Sequence, residues 1–261
     1  MTDISKGSPE RFGYSRNHFS SLTEEQEKQF CQWTAPIRME EWKNQRFLDA
    51  GCGAGRNSVW PMSYGAVSGV AIDVDGRSLD RARENLKNLP VEVRHCSIYE
   101  IPFENEFDIA FSIGVVHHLE FPDLAIEQIT KSVKPGGRIL VWVYGYENLE
   151  FYVNILSPIR KFIFSRAPLP LVQLCAHVPA SVLWIMLRLG FQPIAYLKML
   201  RSFPYRHLHH IIFDQMLPKT AKYWRKGEAI SLLERAGLKD VIAVWVNECS
   251  WAVLGRKDLG R

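Results

Sequence analysis

Apolar and polar positions repeat with two different periods along most of this chain, and each change of period predicts an element. Glu24 to Trp33 spaces its apolar residues as a short helix does, with Ser21 or Thr23 as the N-cap. From Arg46 onward, apolar runs appear that are too brief for helices. Phe47-Leu48-Asp49 is a first strand, Gly69 to Asp73 a second, Val91 to Arg94 a third and Phe107 to Ser112 a fourth. Helical spacing lies between them, from Arg56 to Met62 and then at Leu79, Ala82, Leu86 and Leu89. Asp123 to Val133 repeats it with Leu124, Ile126, Ile129 and Val133, and Pro135-Gly136-Gly137 stops that helix before a fifth strand, Arg138 to Tyr144.

Strands alternating with helices predict a parallel sheet with right-handed crossovers. The alternation breaks off after residue 148 and resumes at Glu228 to Ala236, a helix closed by Gly237. Val241 to Val246 and Ser250 to Leu254 follow so closely that they predict an antiparallel pair at the sheet edge. The expected fold class is α/β: a mixed seven-stranded sheet, mostly parallel, with an antiparallel C-terminal edge strand and a helical insertion forming a cap.

Composition narrows the setting. The chain has 261 residues, 47% of them hydrophobic, enough for a substantial core. Five scattered cysteines without a C-x-x-C pair exclude a disulfide framework and a zinc site, and predict reduced thiols in the cytoplasm. Met1 to Glu10 lacks the basic and apolar regions of a signal peptide. The net charge of +4 hides an asymmetry: Phe151 to Lys226 holds 11 Lys/Arg against the single acid Asp214, giving +10 there and −6 elsewhere. Such separation points one face at an anionic partner.

The first strand runs into Asp49-Ala-Gly51-Cys52-Gly53-Ala-Gly55. Glycines permit a tight turn and close approach of backbone to a ligand, and the helix that follows offers unpaired N–H groups. Nicotinamide enzymes also use a glycine turn with an acid about twenty residues on. Here the spacing is G-x-G-x-G, and an aspartate stands two residues ahead of the first glycine. Ser112-Ile-Gly-Val-Val-His117-His118-Leu after the fourth strand and Lys134-Pro-Gly-Gly137 before the fifth add independent support. Together with Asp73, these elements resemble the class I S-adenosylmethionine-dependent methyltransferases over roughly residues 12 to 257.

That resemblance implies a Rossmann-like core, S-adenosylmethionine as cofactor and S-adenosylhomocysteine as product. Residues 1–45 form a lead-in and cap helix, 46–148 the cofactor-binding core, 149–226 the basic, apolar substrate cap, and 227–261 complete the core. Asp49, Gly51, Cys52, Gly53 and Gly55 cradle the methionine end, and Asp73 with Val74 meets the ribose. Ser97 and Ile98 hold the adenine, Ser97 standing where the family usually has aspartate and Cys96 where it usually has glycine. Ser112 belongs to the cofactor shell. Phe12-Gly-Tyr14-Ser-Arg16 is similar to a family segment F-G-Y-x-W, placing Tyr14 over the cofactor and Arg16, in the tryptophan's position, toward the substrate.

Methyl transfer from a sulfonium is an in-line displacement that needs alignment, exclusion of water and, for some acceptors, a base. His117 and Asp214 are the candidate catalytic groups; His117 also suits a structural or cofactor-shell role, and Asp214 an amine-binding or counter-ion role. His118, Tyr144, Tyr146 and Glu147, on the same rim, are candidate substrate contacts beside Arg16, and Tyr223-Trp224 resembles a family element lining the acceptor pocket.

Ala167 to Leu187 carries no Lys, Arg, Asp or Glu and has transmembrane length, but Pro168, Pro170, Gln173, His177 and Pro179 interrupt it. The last helix and strands must also return to the same sheet, so a single crossing is excluded. The segment reads as a lid over a hydrophobic or anionic small substrate, as a surface element on an anionic membrane, or as an ordinary helical lid with solvated cations. Tyr205-Arg-His207-Leu-His209-His210 lacks a completing ligand set, so no metal is expected. No RNA-binding module accompanies the basic residues, which disfavours nucleic acid, and no feature sets an oligomeric state. The expected partner is a small-molecule acceptor, amphipathic or lipid-like, with peripheral membrane contact as one reading. An RNA methyltransferase and a non-catalytic cofactor-binding protein are the alternatives.

Overall fold

The structure, a computed structural model, describes residues 24–150, 152–156, 158, 167–216 and 220–260. Five parallel strands form its centre: β1 (Arg46–Ala50), β2 (Ser68–Asp73), β3 (Val91–His95), β4 (Phe107–Ile113) and β5 (Val133–Tyr144). Helices α1 (Glu24–Trp33), α2 (Arg56–Ser63), α3 (Gly76–Leu86) and α4 (Pro122–Ser132) accompany them. Both sheet faces are covered, so these strands read as continuous apolar runs. On one face Phe47, Ile109, Phe111 and Leu140 pack with Phe30 of α1 and Trp42. On the other, Leu48, Val70, Ile72 and Ala110 pack against Ile126 and Ile129 of α4.

The strand order is β3-β2-β1-β4-β5-β7-β6, with β6 (Lys239–Val246) and β7 (Ser250–Arg256) completing seven strands. The antiparallel C-terminal strand sits one place in from the edge, because β7 pairs antiparallel with both β5 and β6. Burial explains the order. β7 is buried along almost its whole length, whereas β6 carries Lys239, Asp240 and the exposed Ile242 and Val244 and takes the solvated edge. Asn247 and Glu248, at φ +51° and +55°, make the left-handed turn that matches hairpin twist. Pro135-Gly136-Gly137 is a bulged part of β5 itself; Gly136 N–H donates to the Lys257 carbonyl and Lys257 N–H to that of Gly137.

The insertion folds as α5 (Leu169–Cys175), α6 (His177–Arg188), α7 (Ala195–Arg201) and α8 (Tyr205–Met216), followed by α9 (Lys226–Glu234) in the core. It has two small cores of its own: Val172, Ala176, Phe213 and Met216, and Leu187, Leu200 and Leu208. Hydrogen bonds tie it to the sheet, among them three from α7 and α8. Tyr196 N–H donates to the Asn247 carbonyl at 3.0 Å, Ala195 N–H to the Glu248 carboxylate at 2.6 Å, and Gln215 Nε2 to the Tyr144 hydroxyl at 2.9 Å. The chain then returns beside β5, where Trp224 N–H donates to Tyr144 and Tyr146 N–H to Trp224.

Gly69 stands opposite Phe47 across β1 and β2, and a Cβ there would collide with the Phe47 ring. Gly69→Ala is therefore expected to destabilise the fold by about 1–3 kcal/mol through overpacking. A lower urea midpoint at unchanged m-value reports this; an unchanged midpoint contradicts it.

Candidate active site

The site is built where β1, β2 and β4 end. Gly51, Gly53 and Gly55 hold φ of +89°, +54° and +76°, which favours glycine at all three. At Gly51 a side chain would run into Val115 in the segment leaving β4, so the absence of a Cβ lets the two strand exits touch. Gly51 N–H and Cys52 N–H both donate to the Ile72 carbonyl. Beneath this turn lie two braces. Asp49, 1% exposed, accepts a 2.7 Å hydrogen bond from Ser58 Oγ on α2, and buried Ser112 donates to the Ala50 carbonyl at 2.7 Å. The structure thus shows both polar side chains stiffening the cradle.

Asp73 closes the turn from the end of β2. Its carboxylate accepts Gly53 N–H at 2.8 Å and Asp75 N–H at 3.0 Å. A carboxylate accepts about four hydrogen bonds, so holding the turn is compatible with holding a vicinal diol. Val74 beside it is exposed, and its carbonyl meets the His95 ring at 3.0 Å. Ile98 and Cys52 are buried, while Ser97 Oγ accepts Tyr99 N–H at 3.2 Å. This combination, a glycine turn that lets a ligand approach the backbone closely, a carboxylate and an apolar shelf, fits a nucleoside with an amino-acid tail.

A second cluster lies beyond β4 and β5. His117 sits in the short 3-10 turn Val116–His118 and is fully buried; among the described residues neither ring nitrogen has a hydrogen-bond partner. Its ring stacks on Tyr144 at 3.8 Å and meets Trp142 edge-on at 5.9 Å. Burial, assisted by neighbouring His118, holds the imidazole well below its ordinary 6.5, so the ring is neutral at pH 7. Tyr144 stacks in turn on Tyr223 at 5.5 Å, and Tyr223 meets Tyr152 at 6.1 Å. Desolvation pushes the phenols of Tyr144 and Tyr196 up, keeping both protonated.

Other expected site residues are placed around this cluster. His118 anchors the returning chain, its Nδ1 lying 2.9 Å from the Thr220 carbonyl. Tyr146 lies under the Arg225 guanidinium at 4.6 Å, and its hydroxyl accepts from Asn154. Glu147 braces the start of α9, accepting Lys226 N–H at 3.0 Å and Trp251 Nε1–H at 3.2 Å; desolvation raises its carboxyl, but these hydrogen bonds leave it lowered. Asp214 stands 3.4 Å from His210 on α8, and its charge is felt at Tyr144. Tyr14 and Arg16 lie outside the described residues.

The histidine run of α8 spreads around its helix: His207 packs on Phe203, His209 stacks on His177 at 3.9 Å, and His210 pairs with Asp214. Among the described residues no group of three His, Cys, Asp or Glu side chains is arranged to hold a metal. The sequence did not point to Trp33, which packs on Trp142 at 4.9 Å, nor to Tyr152, Tyr196 or Gln215. No sequence signal singled them out: Trp33 ends the α1 pattern, and Tyr152, Tyr196 and Gln215 lie in the insertion, where the strand–helix alternation is interrupted.

Comparison with known proteins agrees with this geometry. Residues 48–141 match the methyltransferase domain family model. The ubiquinone biosynthesis O-methyltransferase, mitochondrial, of Dictyostelium discoideum is 28% identical over 134 residues, 46% of this chain and 41% of that protein. The probable tRNA methyltransferase 9B of Homo sapiens is 31% identical over 134 residues, 49% of this chain and 28% of that protein. The chain thus spans well under half the length of these curated relatives. The human N-acetylserotonin methyltransferase structure in complex with S-adenosylmethionine superposes with a TM-score of 0.57 at 16% identity, covering 98% of this chain and 58% of that one, a likeness of fold. Residues 48–141 thus carry the signature of a methyltransferase domain, the fold is that of S-adenosylmethionine-dependent methyltransferases, and S-adenosylmethionine is the cofactor that the turn and Asp73 fit.

Two tests address this site. Asp73→Ala should weaken S-adenosylmethionine binding at least ~10-fold in calorimetry; unchanged affinity contradicts its place at the ribose. For His117, the folded pKa lies below the unfolded one, so the unfolded chain binds the proton more readily. Its contribution to stability is present above pH 6.5 and is lost as pH falls below it. Between pH 7.5 and 5.5 the unfolding free energy should fall, by at most about 1.4 kcal/mol per pH unit from this group. His117→Phe should flatten that slope, and an identical slope contradicts a neutral buried ring.

Proposed function

We propose that this chain transfers the methyl group of S-adenosylmethionine to a small, amphipathic or lipid-like acceptor enclosed between the strand ends and the helical cap. The observation that carries this reading is His117: a neutral, fully buried imidazole at the end of β4, its nitrogens unpartnered among the described residues, walled by Tyr144 and Trp142. Such a group costs stability unless a ligand takes up its hydrogen bonds.

When bound, the cofactor supplies a methyl group already activated by the sulfonium. The glycine turn and Asp73 orient the donor from one side. The cap and the tyrosines exclude water, and His117 accepts a hydrogen bond, then the proton, from an acceptor O–H or N–H. The aromatic walls favour an acceptor with an apolar body. The basic insertion lends support to an RNA acceptor as a second reading, in line with the name of the human relative.

Radiolabelled methyl donor incubated with cell extract separates these readings. Label in the solvent-extractable fraction is expected, label in RNA overturns the small acceptor, and cofactor binding without transfer overturns catalysis. His117→Ala should lower kcat by about 10²-fold or more while leaving cofactor affinity unchanged. An equal loss of cofactor affinity would assign His117 to the scaffold.

A further inference from the structure

The outer face of the cap is inverted relative to an ordinary surface helix. Along α5 and α6, Leu171, Leu174, Val178, Val182, Ile185 and Leu189 recur at steps of three and four residues, which puts them on one side of the helical path. All six are exposed, Leu174 by 67%, Val178 by 69% and Leu189 by 82%. The opposite side is the one used for packing: Val172 and Ala176 join Phe213 and Met216 of α8, and Leu187 joins Leu200 and Leu208. A surface helix of a globular protein turns its apolar stripe inward; these helices do so and carry a second stripe outward. From residue 171 to 189 that stripe runs about 27 Å at 1.5 Å per residue.

Length and apolar composition alone would let Leu169–Arg188 cross a membrane. Its inner side, however, is buried against α7 and α8, which are tied to the β6–β7 turn and to Tyr144. Lying flat keeps those contacts, and crossing would break them.

The charges around the stripe select its occupant. Arg188 stands beside its last member, Leu189, with its guanidinium over Trp184 at 5.1 Å, and Lys198, Arg201 and Arg206 are exposed on the helices packed beside it. Between Phe151 and Lys226 the only acid is Asp214, which pairs with His210. A second copy docked stripe to stripe would set these cations against their own equivalents. An anionic bilayer complements both features: its acyl boundary takes the stripe to a depth of about 5–10 Å, and its headgroups take the Arg and Lys side chains.

We infer that the outer face of α5–α6 is a docking surface for an anionic lipid bilayer, on which the protein rests peripherally. This stands apart from the methyl-transfer reading, since no residue of the stripe belongs to the site.

The test is co-sedimentation of the full chain with vesicles of phosphatidylcholine alone and of phosphatidylcholine with one quarter phosphatidylglycerol, at low and high salt. Binding to the anionic vesicles should be at least ~10-fold tighter at low salt and fall as salt rises. The triple variant Leu174→Gln, Val178→Gln, Leu189→Gln alters exposed positions only. It should lose at least ~10-fold in vesicle binding while keeping its unfolding midpoint and its affinity for S-adenosylmethionine. Absence of binding to anionic vesicles at low salt overturns the inference, as does undiminished binding by the triple variant. A dimer in solution that the triple variant converts to monomer also overturns it, assigning the stripe to self-association. Because cofactor affinity is measured alongside, loss of vesicle binding and failure of the methyl-donor site are told apart.

Discussion

Gly51 and Val115 bring the loops leaving β1 and β4 into contact, and a side chain at Gly51 would force them apart. On one side of that contact lies the glycine turn, held by Asp73 and by the Ile72 carbonyl. On the other lies His117, two residues past Val115. The separation between the glycine turn and the imidazole therefore depends on two loops packed without a Cβ between them. Methyl transfer demands alignment more than acid–base power, and a rigid junction at this point supplies it.

The rest of the core stiffens the same junction. Asp49 and Ser112 spend their side chains on Ser58 and Ala50 directly below the turn. Helices on both faces bury the strands, so their ends cannot shift independently. The insertion reaches this region through Gln215 on Tyr144, and the returning chain through Lys222 N–H on the His117 carbonyl. The placement of the insertion and that of the imidazole thus share the same few contacts. The outward stripe of α5–α6 lies on the side of those helices turned away from their contacts with α7 and α8.

Several site features were legible in the chain because they are local. The glycine turn, Asp73 and the His117-His118 pair follow their strands within a few residues, so reading the strands places them. Asp49 and Ser112 were equally visible as polar residues at strand ends. Their bracing role was not, since it depends on Ser58 and on the Ala50 carbonyl across the sheet. Tyr152, Tyr196 and Gln215 escaped notice because nothing near them in sequence is periodic or motif-like; helices and turns far apart in the chain bring them to Tyr144.

By itself the sequence determined the elements and the parallel centre of the sheet, because hydrophobic period and turn chemistry act over a few residues. It placed the glycine turn and Asp73 at their strand ends for the same reason. Tertiary structure alone decided that β7 slips between β5 and β6, that Pro135-Gly-Gly is a bulge tied to Lys257, and that His117 is buried and neutral. It also decided which side of α5–α6 faces outward. Each of these depends on what packs against a segment from a distant part of the chain, and burial by such neighbours is a property of the assembled fold that no local pattern encodes.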